Sequence, residues 1–239
     1  LIILLGISPR SVPQIIIGPS LIREISFGSC SPINQKAMEV LIVSRTRMKN
    51  GICCGGIDLA NGEFVRLHDH WGKNLTESAP FQIGDVYDLN YRTAVNCRPI
   101  PHIEDKEVLP DYEKLKQLTA TEFIDEIDRL VDVPNGGIET IFEGKLRRST
   151  FATYISPEDI PQFSVCFWRP NAPLIKSGFL GKTKYWFGGS YAINYVGFQE
   201  PIEVIPAGTL LRMSLANWWS PDTITEKRCY LQLSGWFGL

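Results

Sequence analysis

The sequence predicts a mostly β protein in which an acidic segment with one α-helix joins two small barrels. Three observations predict this class. The 239 residues include 20 Gly and 16 Pro, a composition that favours short strands joined by tight turns. Short apolar runs recur along both halves of the chain, and one amphipathic stretch of helical period separates them. Hydrophobic residues at 44% and charged residues at 21% are sufficient for an ordinary globular core.

The first barrel is predicted over residues 38–103. Its clearest signal is Asn61-Gly62 between two alternating runs, because Asn-Gly in that setting is the strongest short-range hairpin signal. The strands of this barrel are expected at residues 40–45, 57–59, 64–67 and 83–89.

The acidic helical linker is predicted over residues 104–137. Between Glu104 and Asp132 there are ten acidic and four basic residues. Thr119 and Glu122 have the spacing of a capping box, and Phe123 and Ile127 begin an apolar stripe of helical period. We therefore expect a helix that packs on a barrel and turns its acidic face to solvent.

The second barrel is predicted over residues 138–239. Its evidence is a series of short apolar or aromatic runs that Gly, Pro or Asn separate, at residues 164–168, 185–187, 191–196, 202–205, 210–215 and 230–233. A sandwich is the alternative for this half of the chain.

Residues 1–37 carry no periodic core pattern, and we interpret them as a leader or upstream extension that is poorly ordered and dispensable. An added strand at residues 14–17 is the alternative. The apolar run at residues 1–5 is too short for a signal peptide. No run reaches the roughly 20 apolar residues of a membrane helix, so we expect no membrane partner.

Two groups of sequence blocks carry a family resemblance. The first group is VSRTRM at residues 43–48, CGGID at 54–58 and VRL at 65–67. The second is PIEVIPAGT at 201–209, SLANWW at 214–219 and RCYLQLSGW at 228–236. From residue 38 to its end the chain resembles the dual OB-containing domain family of prokaryotes. The resemblance implies two OB-like barrels and recognition of nucleic acid or nucleotides, in settings of prokaryotic defence, and it transfers no catalytic residue.

The strongest candidate binding residues are consecutive on one predicted strand. Lys182 and Lys184 would share a strand face with Trp186, while Tyr185 points to the opposite face. An OB barrel binds single strands by stacking bases on aromatic rings and by contacting the backbone with basic side chains. We therefore predict a nucleic-acid-binding groove at these four residues.

Further basic residues complete the predicted surface. Arg45 and Arg47 share a strand face, and Arg66 lies on a nearby strand. These guanidinium groups suit phosphate, although structural ion pairs with neighbouring aspartates are an equal alternative. Arg212, beside Trp218 and Trp219, is a second pairing of charge and ring. A further basic cluster is formed by Lys145, Arg147 and Arg148.

Enzyme chemistry has weak support. His68, His70 and His102 form the only group with metal-ligand chemistry, but no recognised metal spacing is present, so we expect neither a metal nor another cofactor. The six cysteines lack paired C-x-x-C spacing and are interpreted as buried thiols of a cytoplasmic protein. The sequence therefore predicts a protein that binds single-stranded nucleic acid or nucleotides. A non-catalytic module for a small ligand or a protein is the alternative, and a metal-dependent enzyme is less favoured.

Overall fold

The strands follow the alternating runs and glycine turns of the sequence. The structure is a computed structural model that describes residues 36–93, 100–179, 181–221 and 225–239. The strands of the first lobe are β1 (Lys36–Arg47), β2 (Ile52–Asp58), β3 (Phe64–His68), β4 (Asp85–Thr93) and β5 (Asp105–Gln117). Strand β1 begins two residues before the predicted barrel, and residues 1–35 of the predicted leader lie outside the described residues.

The five strands close into a barrel in the order β1-β2-β3-β5-β4. The predicted Asn61-Gly62 turn connects β2 to β3, and Gly62 has a φ of +74°, a conformation that favours glycine. Strand β3 pairs parallel with β5, and the other barrel pairs are antiparallel. Residues such as Val40, Ile42 and Leu67 fill the interior.

The closing strand β5 lies in the segment that the sequence assigned to the acidic linker, beyond the predicted barrel boundary at residue 103. The eight residues from Pro110 to Gln117 are all exposed, so the strand lacks the apolar alternation that would have predicted it. In addition to its backbone pairing, the strand forms charged pairs with β4. Lys114 lies 2.7 Å from buried Asp85, and Glu107 pairs with Arg92.

One α-helix, α1 (Ala120–Leu130), follows β5 in the described part of the chain. The predicted capping box is present: Thr119 Oγ1 accepts a hydrogen bond from the Glu122 backbone N–H, and the Glu122 side chain accepts one from the Thr119 N–H. Phe123 and Ile127 are buried, as the apolar stripe predicts.

The second lobe is a ten-stranded sheet. Its strands are β6 (Asn135–Gly136), β7 (Arg147–Ser149), β8 (Ala152–Ile155), β9 (Val165–Pro170), β10 (Leu174–Phe179), β11 (Lys182–Phe187), β12 (Tyr191–Tyr195), β13 (Val204–Ile205), β14 (Leu210–Leu215) and β15 (Cys229–Phe237). Two 3-10 turns, Ile138–Thr140 and Phe142–Gly144, precede β7. The main path runs β13-β10-β11-β12-β15-β14-β9-β6, and β8 pairs with both β7 and β15. The predicted fold class is confirmed: the chain is mostly β, with a closed barrel and a second sheet consistent with two OB-like units.

The two lobes share a core within the compact unit Asn34–Leu239. Leu41 and Ile57 on the outside of the barrel, Phe123 and Ile127 of α1, and Phe167 and Leu210 of the second sheet belong to one buried cluster. This cluster fixes the faces that the lobes present to each other. None of the helices in the described ranges is both long and apolar enough to cross a membrane.

Candidate nucleic-acid interface

A cleft of about 990 Å³ lies between the first barrel and the polar face of the second sheet, and we call it the interlobe cleft. Its lining carries five basic side chains and one carboxylate, Lys49, Arg66, Lys182, Lys184, Arg212 and Glu104. Four amide side chains also line it, Asn74, Asn194, Asn217 and Gln232. The cleft therefore combines net positive charge with groups that can both donate and accept hydrogen bonds.

One wall of the cleft is a row of polar residues across four neighbouring strands of the second sheet. Lys184 of β11 pairs in register with Asn194 of β12, which pairs with Gln232 of β15, which pairs with Ser214 of β14. All four line the cleft. Residues in register share a face of a sheet, so this row places a charge, two amides and a hydroxyl side by side.

Strand β11 has the predicted alternation. Lys182 is exposed and lines the cleft with Lys184, whereas the Tyr185 ring is fully buried and its hydroxyl donates to the Ile202 carbonyl (2.9 Å). Burial raises the pKa of Tyr185 to about 12. Trp186 is half-buried and is not part of the cleft lining. The two lysines thus face the cleft, and the ring of Tyr185 packs in the core.

The opposite wall comes from β1 and β2 of the barrel, where Ser44, Thr46, Cys53 and Gly55 line the cleft. Cys53 is half-buried, while its neighbour Cys54 belongs to the barrel core, where burial raises its thiol pKa to about 12. The alternation of a strand explains why adjacent cysteines have such different surroundings.

Arg45 and Arg47 do not line the cleft. The Arg45 guanidinium donates to the Glu77 carbonyl (2.6 Å) and lies 5.4 Å from the Phe198 ring centroid. Arg47 lies 4.4 Å from the same centroid and donates to the Gly197 carbonyl. The contacts with Gly197 and Phe198 connect the barrel to the second lobe. In the basic cluster at residues 145–148, Lys145 and Arg147 form ion pairs with acidic side chains.

Arg66 lines the cleft but is held in a buried network. It donates to Asp105 (3.2 Å) and to Ser164 Oγ (2.8 Å), and it lies 4.0 Å from Glu104. Burial alone would lower the pKa of Arg66, but the electrostatic influence of Cys53, Asp105 and Glu104 outweighs burial and raises it. Glu104 also accepts two hydrogen bonds from Ser164. No local sequence pattern indicates this link, because its members are brought together by the packing of the lobes.

Arg212 is 2% exposed and lines the cleft. Within the described ranges its one hydrogen bond runs from Nη1 to the Met213 carbonyl (2.6 Å), and its buried Nε has no partner. The guanidinium carbon lies 5.1 Å from the Phe64 ring centroid and 5.7 Å from that of Phe167. Burial lowers the pKa of Arg212 to about 10, so the group stays charged at neutral pH.

Two exposed rings stand at the cleft. Trp219 is 58% exposed and Phe151 is 52% exposed, and both are part of the lining. The Trp219 ring lies 5.8 Å from the ring of Tyr230. Trp218 instead donates from Nε1 to the Ile100 carbonyl (3.0 Å). Of the adjacent tryptophans that the sequence singled out, Trp219 therefore offers a ring to the cleft.

Two of the three histidines contact the Arg66 network. His68 Nε2 lies 3.3 Å from Asp105, and His102 contacts Arg66 and Cys229. His70 lies elsewhere, with its ring tilted against Trp71 at a centroid distance of 4.5 Å. Across the residues that the structure describes, no three His, Cys, Asp or Glu side chains form a group that could hold a metal ion.

Solved structures with a related chain path include two HIN domains. The HINa domain of Ifi202, solved in complex with a 20-bp double-stranded DNA, is 12% identical, covers 85% of this chain and 97% of its own length, and has a TM-score of 0.34. The p204 HINb domain is 10% identical, covers 83% of this chain and 97% of its own length, and has a TM-score of 0.33. Similarity this low carries no argument about the function of this chain.

Family comparison is more specific. No curated protein shows significant similarity to the chain. The profile of the dual OB-containing domain, however, matches residues 38–236, which covers both lobes and confirms the resemblance found in the sequence blocks. The chain belongs to the dual OB-containing domain family.

Proposed function

We propose that the protein binds single-stranded nucleic acid or a nucleotide in the interlobe cleft. The observation that carries the proposal is the convergence of Lys182, Lys184 and the amide row on one cleft that also holds an exposed indole. Family membership supports the proposal, because OB folds bind oligonucleotides through one sheet face and its loops.

Charge is the first supporting argument. Lys49 and Lys182 are exposed at the cleft, and Arg212 lies buried within it. Basic groups that converge on a concave surface attract phosphates and release their counterions, which gives affinity without sequence preference. The lining has a single carboxylate, Glu104, against five basic side chains, so the net charge of the cleft is positive.

The second argument is the chemistry of the walls. Trp219 and Phe151 offer rings on which unpaired bases can stack, and Asn194 and Gln232 can bond both donors and acceptors on base edges. Bases that are splayed from a single strand present both their faces and their edges. The cleft volume lies near the upper end of the roughly 300–1,000 Å³ that is typical of ligand pockets. These features favour an unpaired strand or a nucleotide.

The proposal also includes a biological setting, which follows from the family, and a cellular location, which follows from the free thiols. A prokaryotic defence setting is the expectation that the family brings. A cytoplasmic location, where free thiols such as Cys54 and Cys166 stay reduced, belongs to the same proposal.

The test is a salt titration of affinity. Fluorescence anisotropy would measure the binding of labelled single-stranded DNA, single-stranded RNA and duplex DNA to the wild type and to the double variant K182A/K184A. We expect the single strands to bind more tightly than the duplex. The double variant should bind more weakly, and its log-log salt slope should fall by about 0.7 for each lost phosphate contact.

The matched control is K106A/K116A, which removes two lysines from β5, outside the cleft lining. It should bind like the wild type. Equal losses of affinity in the two double variants would show that binding depends only on overall charge, and they would contradict the proposal. Binding of a neutral small molecule with no salt dependence would favour the alternative of a small-ligand module.

A further inference from the structure

The buried guanidinium of Arg212 makes fewer contacts than its charge requires. It has five N–H donors, yet among the described residues it makes one hydrogen bond, and no carboxylate lies within ion-pair distance. Arg66, which lines the same cleft, is by contrast satisfied by Asp105 and Ser164. A buried charge without a partner is costly, so an unpaired one in a cleft points to an anionic ligand.

Gly55 lies in close contact with this group. A Cβ atom at Gly55 would lie 2.5 Å from Ser44 Oγ and 3.2 Å from Arg212 Nη2. The φ angle of Gly55 is not one that requires glycine, so the reason for glycine here is the close approach of these two polar atoms and not the backbone conformation. Ser44 Oγ and Arg212 Nη2 therefore both lie against the Gly55 backbone, and all three residues line the cleft.

The neighbouring charged groups do not satisfy the N–H donors of Arg212. Glu104 is the acidic residue of the cleft lining, and its two oxygens accept hydrogen bonds from the Ser164 N–H (2.7 Å) and Oγ (2.8 Å). Arg66 faces the same region and adds positive charge. The rings of Phe64 and Phe167 stabilise the Arg212 cation in part, but they leave its outward N–H groups without acceptors.

We propose that Arg212 and Ser44, above Gly55, bind a terminal phosphate group of the nucleic acid or nucleotide. This inference rests on the proposed function and deepens it, because it names the part of the ligand that reaches the bottom of the cleft. A guanidinium binds phosphate through parallel N–H···O bonds, and a hydroxyl supplies a further donor. Arg212 is almost fully buried, so a strand end or a mononucleotide can reach it, whereas the internal phosphates of a continuous strand stay near Lys182 and Lys184.

The experiment compares oligonucleotides of one sequence that carry a 5′-phosphate, a 3′-phosphate or hydroxyl groups at both ends. Wild-type protein should prefer one phosphorylated form by about tenfold, the effect of one or two charge-assisted hydrogen bonds. R212M removes the charge and keeps an apolar chain of similar length. G55A places a methyl group against Arg212 Nη2 and the Ser44 hydroxyl, which can rotate, and so displaces the two proposed phosphate donors.

Both variants should lose the preference for a phosphorylated end and bind the three forms with equal affinity. Equal wild-type affinity for all three forms, or a preference that persists in R212M and G55A, would overturn the inference. If R212M unfolds, the affinities of G55A, measured per folded molecule, decide between these two outcomes.

A second readout separates this site from the proposed function. Inorganic phosphate and a nucleoside monophosphate should raise the melting temperature of the wild type and not that of R212M or G55A, because a ligand stabilises the folded state that binds it. That result without oligonucleotide binding would support an anion site and reject nucleic-acid binding. Oligonucleotide binding without a phosphate effect would keep the function and reject the site.

Discussion

At the scale of single residues, neighbours in sequence have different surroundings because strands alternate. Lys184 faces the cleft and Tyr185 is buried in the core of the second lobe. Trp218 bonds to a backbone carbonyl, while Trp219 is exposed at the cleft. Residue type alone therefore could not separate a binding ring from a structural one, and exposure in the folded chain makes that distinction.

Trp219→Ala should weaken the binding of a single strand by roughly 1–3 kcal/mol, because one stacked base would lose its aromatic partner. The ring is 58% exposed, so the melting temperature should change little. Trp71 is 73% exposed and lies outside the cleft lining, which makes Trp71→Ala the matched control with unchanged affinity. If Trp186→Ala lowers the affinity more than Trp219→Ala does, the stacking position lies on β11.

At the scale of elements, the features whose sequence signals lie within a few residues of each other were predicted correctly. The Asn61-Gly62 hairpin and the Thr119–Glu122 capping box are both present, because each depends on residues a few positions apart. The lysines of β11 face the cleft as alternation predicts. Strand β5 was missed because its outer half is exposed and polar. The unpaired state of Arg212 depends on the packing of β14 between β15 and β9, which no local pattern encodes.

The capping box gives a prediction at this scale. Thr119→Ala removes the side-chain acceptor for the Glu122 N–H and should lower the free energy of unfolding by about 1 kcal/mol. Chemical denaturation at neutral pH measures this loss. Ala120→Ser, at the first residue of α1, is a control that leaves the cap bonds in place. An unchanged free energy in Thr119→Ala would show that the cap does not contribute to stability.

The pH dependence of the same cap follows from Glu122. Hydrogen bonds from the Thr119 backbone and side chain lower the pKa of Glu122 below its ordinary value of 4.5. A carboxylate with a lowered folded pKa stabilises the fold fully above its unfolded pKa, and it loses that effect as the pH falls through the folded value. The stability advantage of the wild type over Glu122→Ala should therefore be constant above about pH 5 and shrink below 4.5.

At the scale of the whole molecule, the cleft exists because two connections hold the lobes at a fixed separation. One is the shared apolar cluster that contains Leu41, Phe167 and Leu210. The other is the buried polar link in which Glu104 and Arg66 of the first lobe meet Ser164 before β9. The polar link lies at the cleft itself, since Arg66 and Glu104 line it. The geometry of the site is thus a property of the interface between the lobes.

Glu104→Ala should consequently be among the more damaging substitutions in the cleft. The side chain is 4% exposed, and its removal leaves the Ser164 N–H and hydroxyl without their acceptor and takes one carboxylate from beside Arg66. Breaking a buried charged network of this kind costs about 3–5 kcal/mol, which denaturant titration would detect. Glu63→Ala, an exposed carboxylate between β2 and β3, is the control and should stay within about 0.5 kcal/mol of the wild type. Similar stabilities for the two variants would show that the apolar cluster alone fixes the lobes and that the polar link contributes nothing to their separation.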